Sequence, residues 1–139
     1  GLGTFRPMNA TKVEDHVMHT EWFEVPAATL EAIARTRSDG GRVVAVGTTV
    51  VRALESAMAT GEATGRTGLF IRNGHEFRVV DRLLTNFHLP RSSLLVLVDA
   101  FVGPRWRRLY DTALADAYRF LSFGDAMLLT RDDQRNSHR

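Results

Sequence analysis

The tightest constraint on the fold is the run from Arg42 to Glu55. Arg42 to Val46 reads RVVAV, a short β-branched stretch typical of a buried strand. Gly47-Thr48-Thr49 follows at once. A helix from about Val50 to Thr60 comes next, with Val51, Leu54 and Met58 expected on one face. A strand that delivers the chain through a glycine into an amphipathic helix is the unit of an α/β protein, and the rest of the sequence repeats the alternation.

Upstream, His16 to Val25 has extended character, and Pro26 stands where a first helical turn tolerates proline. Leu30, Ile33 and Ala34 then recur at helical spacing until Gly40-Gly41. Downstream, Leu69 to Ile71, the Asn73-Gly74 turn and Phe77 to Val80 read as a hairpin. Leu84 to Pro90 is expected as an irregular loop, leading to a helix from Ser92 to Phe101 with Ser92 or Ser93 as N-cap. A second helix is expected over Trp106 to Phe120, and a last short strand over Ala126 to Leu129. The tail from Arg131 is wholly polar and is expected to be disordered, so the domain is drawn as residues 1–130 with a tail over 131–139.

Composition narrows the function classes. The chain has 139 residues, enough for one domain with a real core. With no Cys there is no disulfide framework, no Cys-ligated zinc and no cysteine nucleophile. The longest apolar run, Leu94 to Val98, falls far short of the roughly 20 residues of a membrane span. A cytoplasmic protein without a membrane partner is therefore expected. Lys12 is the only lysine among 18 basic residues, so the others are Arg. That bias suits phosphate and base recognition, and equally suits the codon usage of a GC-rich genome. The opening Gly1-Leu2-Gly3-Thr4-Phe5 carries no initiator Met, and the chain is expected to be a piece of a longer one.

Four places hold residues with chemical potential. His16, His19 and Glu21 offer two imidazoles and a carboxylate for acid–base work, at a spacing that matches no zinc motif. Gly47-Thr48-Thr49 places backbone N–H groups at a helix start, with Arg52 close behind; the bland reading is a capped turn, with Arg52 and Glu55 a surface pair. Thr85, Asn86 and His88 are set among Leu84, Phe87 and Leu89, as in loops that line a site. Arg119 and Asp125 flank an aromatic stretch, where they either bind a substrate or pair with each other.

These segments, taken in order, resemble one family. They are GLGTFRP from Gly1, EDHVMHTEW from Glu14, RVVAVGTTVVRALES from Arg42, LFI from Leu69, FRVVDRLLTNFHLPRSSLLVLV from Phe77, and YRFLSFGDAMLL from Tyr118. The chain is similar to the S-adenosylmethionine:tRNA ribosyltransferase-isomerases of queuosine biosynthesis. The resemblance implies the C-terminal portion of a larger α/β-plus-β-barrel enzyme, here a mixed sheet with flanking helices. It implies transfer and isomerisation of the ribosyl group of S-adenosylmethionine onto 7-aminomethyl-7-deazaguanine at the tRNA wobble position, giving epoxyqueuosine. S-adenosylmethionine is then a consumed substrate; no cofactor and no metal are expected, the full-length form is expected to be a monomer, and this piece alone is expected to be inactive.

Under that resemblance, His16, His19, Glu21, His88 and Asp125 are the candidates for proton transfer. Arg6, Thr48, Thr49, Arg52, Thr85, Asn86 and Arg119 are the candidates for substrate binding. Ile71-Arg72-Asn73-Gly74-His75 departs from the family's usual IYPGY, and Gly65-Arg66-Thr67-Gly68 departs from its usual approach to that strand. A related transferase with another acceptor, or a non-catalytic RNA-binding piece, are the alternative readings.

Overall fold

The computed structural model describes residues 17–133. Strand β1 (Glu21–Glu24) leads into helix α1 (Ala27–Ser38), entered through Pro26. Strand β2 (Val44–Val46) is followed by α2 (Thr48–Thr60) and β3 (Thr64–Thr67). Strand β4 (Arg82–Asn86), helices α3 (Ser93–Val102) and α4 (Arg105–Ala115), and strand β5 (Ala126–Thr130) complete the described elements.

The strands form two sheets. β1 and β3 make an antiparallel ribbon, with Trp22 opposite Arg66 and Phe23 opposite Gly65. β2, β4 and β5 make a mixed sheet in that order, β2 parallel and β5 antiparallel to the central β4. The α/β reading and the mixed sheet with flanking helices are observed. Helix α2 packs on β2 and β4, and α3 packs on β5 and α4. Ala45, Leu83, Met127 and Leu129 face these helices and meet Val51, Leu54, Leu97, Val98 and Phe101 in the core. The sheet is not buried on both faces as the β-branched run suggested, because Val44, Val46, Leu84 and Leu128 are exposed on the other side.

Four further expectations are corrected. The segment expected as a hairpin from Leu69 to Val80 is not a strand pair. Asn73-Gly74 does turn, with His75 N–H donating to Arg72 O at 2.9 Å, but no ladder forms around it. Its apolar residues Ile71, Phe77, Val79 and Val80 are nevertheless buried. What replaces the ladder is a carboxylate: Glu55, only 1% exposed, accepts from the N–H groups of Arg78 (2.8 Å), Val79 (3.0 Å) and Val80 (3.1 Å). Backbone donors must be satisfied when buried, and here a helix side chain does what a neighbouring strand would do.

The loop expected from Leu84 is strand β4 as far as Asn86, because Thr85 turns its hydroxyl inward to a partner at His88. The long second helix stops at Ala115; Ala117 adopts a left-handed φ of 56°, and Tyr118 N–H closes the turn on Ala113 O at 2.8 Å. That exit carries Tyr118 and Phe120 back onto Phe87. Met58 also differs, lying on the exposed edge of α2.

Just past β5 the chain is still tied to the fold. Arg131 N–H donates to Asp81 O at 3.1 Å, and its guanidinium reaches Phe77 O at 3.1 Å and Val80 O at 3.3 Å. Asp132 N–H donates to Phe101 O at 2.9 Å. Arg131 thus takes the carbonyls of the same irregular segment whose N–H groups Glu55 holds, and Asp132 takes one from α3.

Burial pushes the Glu55 carboxyl up, but the nearby His75 imidazole and the three N–H groups outweigh it and leave it below the ordinary carboxylate value. A depressed folded-state pKa contributes stability above the unfolded value of 4.5 that is lost as pH falls through the folded one. Glu55→Gln is expected to cost about 3 kcal/mol at neutral pH, since it removes a charged acceptor from several buried donors. Denaturant unfolding should show that loss, and a weaker acid dependence below about pH 4.5. A variant as stable as the parent would contradict the assignment.

Candidate functional site

In open α/β sheets ligands bind outside the carboxyl ends of the parallel strands. Here those ends belong to β2 and β4, and three of the four sequence-marked segments meet there. β2 ends at Val46, opposite Leu84, and hands over to Gly47 and α2. β4 runs on to Asn86, whose partner on β5 is Ala126, so Asp125 stands just beyond the same edge. Leu121 N–H donates to Phe87 O at 2.9 Å, which ties the 116–125 loop to the end of β4.

Gly47 has φ +93°, which favours glycine, and its N–H donates to Leu84 O at 2.8 Å. It caps α2 without a side-chain hydrogen bond, so the first-turn N–H groups are left to solvent or a ligand. Thr48 is buried, whereas Thr49 is exposed beside a cleft. Asn86 is exposed at the end of its strand. Asp125 accepts from the Arg119 N–H at 2.5 Å, while the Arg119 guanidinium lies 3.9 Å away and largely exposed. That guanidinium covers Gly124, where a Cβ would meet it at 3.5 Å.

The second feature is the flank of α2 that faces β1. Arg52 is 4% exposed. Its Nη1 donates to Glu21 Oε2 at 3.0 Å and its Nε to Leu69 O at 3.1 Å. The alternative reading of Arg52 and Glu55 as a surface pair does not hold; both are buried, and they hold different segments. Ser56 adds a bond to Thr67 Oγ1 at 2.7 Å. Thr48, Arg52, Glu55 and Ser56 thus make a buried polar stripe along one helix. Glu21, Trp22, Thr49 and Arg52 are among the residues lining a cleft of about 510 Å³ between α2 and the ribbon.

His88 lies beneath the end of β4, buried, sharing a 3.0 Å hydrogen bond between its Nε2 and Thr85 Oγ1. Its N–H donates to Tyr110 Oη at 2.8 Å. Burial holds the imidazole pKa down at about 4, so it is neutral at physiological pH. A neutral, enclosed imidazole suits positioning better than proton uptake. His19 is exposed two residues before β1. His16 and Arg6 lie outside the described residues. Among the described residues no three of His, Cys, Asp and Glu gather to hold a metal ion, and no helix is long and apolar enough to cross a membrane.

Tyr110, Trp22 and Glu55 were not among the residues marked from sequence. Glu55 had a signal: with Thr48, Arg52 and Ser56 it falls at helical spacing on one side of α2. Tyr110 had none, since its contact with His88 spans two helices and a loop.

An α/β sheet with three connecting segments gathered at its carboxyl edge defines the class; comparison with known proteins defines the family. A sequence profile described as "Queuosine biosynthesis protein" matches residues 1–129, and the chain belongs to that family. It is 58% identical over 135 residues to the S-adenosylmethionine:tRNA ribosyltransferase-isomerase of Thiobacillus denitrificans, covering 94% of this chain and 39% of that protein. It is 57% identical to the protein of the same name from Nostoc sp., covering 93% of this chain and 34% of that one. The crystal structure of S-adenosylmethionine tRNA ribosyltransferase from Thermotoga maritima superposes with a TM-score of 0.74 at 50% identity, over 77% of this chain and 39% of that one. The chain therefore spans less than half the length of these relatives.

Because His88 is held neutral, the unfolded chain binds a proton near pH 6.5 that the folded chain refuses until about pH 4. Stability is thus full above about pH 6.5 and falls as pH drops toward about 4. Between about pH 7.5 and pH 5 this group alone removes roughly 2 kcal/mol. His88→Gln should be less stable at pH 7.5 but lose roughly 2 kcal/mol less across that interval. Parallel losses in the two proteins would show that His88 is not a buried neutral group.

Proposed function

We propose that this chain is the part of a tRNA-modifying ribosyltransferase-isomerase that supplies the carboxyl-edge portion of a composite active site. S-adenosylmethionine is the ribosyl donor, and tRNA carrying 7-aminomethyl-7-deazaguanine is the acceptor. The observation that carries the reading is spatial. The Gly47-Thr48-Thr49 turn, the Thr85-Asn86-Phe87-His88 segment and Arg119 with Asp125 converge on one sheet edge, although they are separated by about 35 residues at each step in sequence.

The chemistry requires a base beside the sulfonium, an acid for the departing adenine, and polar groups that hold ribose and the methionyl end. Thr48, Thr49 and Arg52 suit the amino-acid end, through the helix start and the charge beside it. Asn86 and Arg119 suit the ribose and the modified base. Asp125, Glu21 and His19 are our candidates for proton transfer, with His16 beside them in sequence. Thr85 and His88 position the end of β4, and Arg6 is a further candidate for binding. The donor is consumed, so the reading needs neither a cofactor nor a metal. It sets the complete enzyme among the cytoplasmic tRNA pool as a monomer without a membrane partner.

The test is a chimera in which this chain replaces the matching segment of the Thiobacillus denitrificans relative. With S-adenosylmethionine and tRNA carrying 7-aminomethyl-7-deazaguanine it should release adenine at a rate within about tenfold of the parent, roughly 1.4 kcal/mol in barrier. This chain alone should release none. A folded chimera without adenine release would sink the proposal, and turnover by the chain alone would refute the composite site.

A further inference from the structure

Trp22 is the residue that the fold does not explain. It is 64% exposed at the centre of β1, although an indole is among the side chains that gain most from burial. The other tryptophan, Trp106, is packed edge-on against Tyr110 with Arg107 over its ring at 4.9 Å. Directly across the ribbon from Trp22 stands Arg66, also exposed. Cross-strand partners share one face, so an indole and a guanidinium, both planar stacking groups, are presented side by side. Trp22 also lines the cleft that holds the Glu21–Arg52 ion pair.

We propose that Trp22 and Arg66 are specificity residues that stack the adenine ring of an adenosine-bearing small molecule at the mouth of this cleft. Charge decides between such a molecule and an RNA base. Glu24, two residues after Trp22 and so on its face of the strand, is exposed and lines the same cleft, where it repels a polyanionic backbone. The same carboxylate favours a nucleoside that carries a cationic centre. The buried Glu21–Arg52 pair next to it offers both signs, which matches a zwitterionic amino-acid end. The inference rests on the reading that the chain takes S-adenosylmethionine, and adds which residues hold its base.

The experiment uses this chain with Trp106→Phe, which keeps the ring of a side chain whose Nε1 has no hydrogen-bond partner among the described residues. Trp22 is then the only indole. Its emission is followed during titration with S-adenosylmethionine, with adenosine, and with an unmodified anticodon stem-loop RNA. Binding of the labelled donor is measured separately by equilibrium dialysis. Saturable quenching by the donor and by adenosine is expected. Dialysis should show at least tenfold weaker donor binding in Trp22→Leu, within threefold of the parent in Trp22→Phe, and an intermediate loss in Arg66→Ala. Donor binding with flat Trp22 emission and no effect of Trp22→Leu would overturn this inference while leaving the proposed function standing. Quenching by the RNA alone would overturn it in favour of a nucleic-acid contact. No donor binding in dialysis would overturn this inference, while adenine release by the chimera decides the proposed function separately.

Discussion

A single carboxylate, that of Glu55, carries an unusual share of this structure. Segment 77–80 brings Phe77, Val79 and Val80 into the core without belonging to a sheet, so its N–H groups need acceptors that no strand provides. Glu55 supplies two oxygens for three of them from the middle of α2. An isolated buried charge would cost several kcal/mol, yet converging donors and the His75 imidazole at 3.7 Å keep it ionised. The same segment then offers its carbonyls to Arg131 and to Arg37, whose Nη2 donates to Val79 O at 2.9 Å. One irregular stretch is thus tied on its N–H side by an acid and on its carbonyl side by two arginines.

Three residues before Glu55 in the same buried stripe, Arg52 does the corresponding work for the β1–β3 ribbon. It binds Glu21 on β1 and the Leu69 carbonyl just past β3, so the ribbon is held to α2 by charge as well as by Phe23. Truncating either partner of such a pair leaves the other buried and uncompensated. Arg52 is thereby both a structural tie and a wall of the cleft, so its replacement disturbs folding and binding together. That differs from a free cation at a helix end, which would affect binding alone. The departures at Asn73 and His75 also acquire partners here: Asn73 Nδ2 donates to Asp99 Oδ2 at 2.8 Å, and His75 approaches Glu55.

Much of the fold was legible because its signals are local. The β-branched run, the glycine turn, Pro26 before α1 and Ser92, whose hydroxyl accepts from Leu95 N–H, each act within a few residues. The misreadings have one physical origin. Leu69 to Val80 looked like a hairpin because apolar residues flank an Asn-Gly turn, and sequence does not show that a glutamate some 20 residues upstream takes the place of a partner strand. Leu84 to Asn86 looked like loop because Thr85, Asn86 and His88 are mixed among apolar residues, and the inward partner of Thr85, His88, comes after it. Of the site, the three segments that meet at the carboxyl edge were marked from local sequence, while the inward orientation of Arg52 and the contact of Tyr110 with His88 depend on contacts across the fold.

The dependence on α2 is tested most directly by native-state hydrogen exchange of the Arg78, Val79 and Val80 amides. If the Glu55 carboxylate holds them, all three exchange only through global unfolding. Their opening free energies then match those of core amides such as Leu83 and fall together with them as denaturant is added. Fast exchange through local fluctuation, as in an ordinary surface loop, would contradict it.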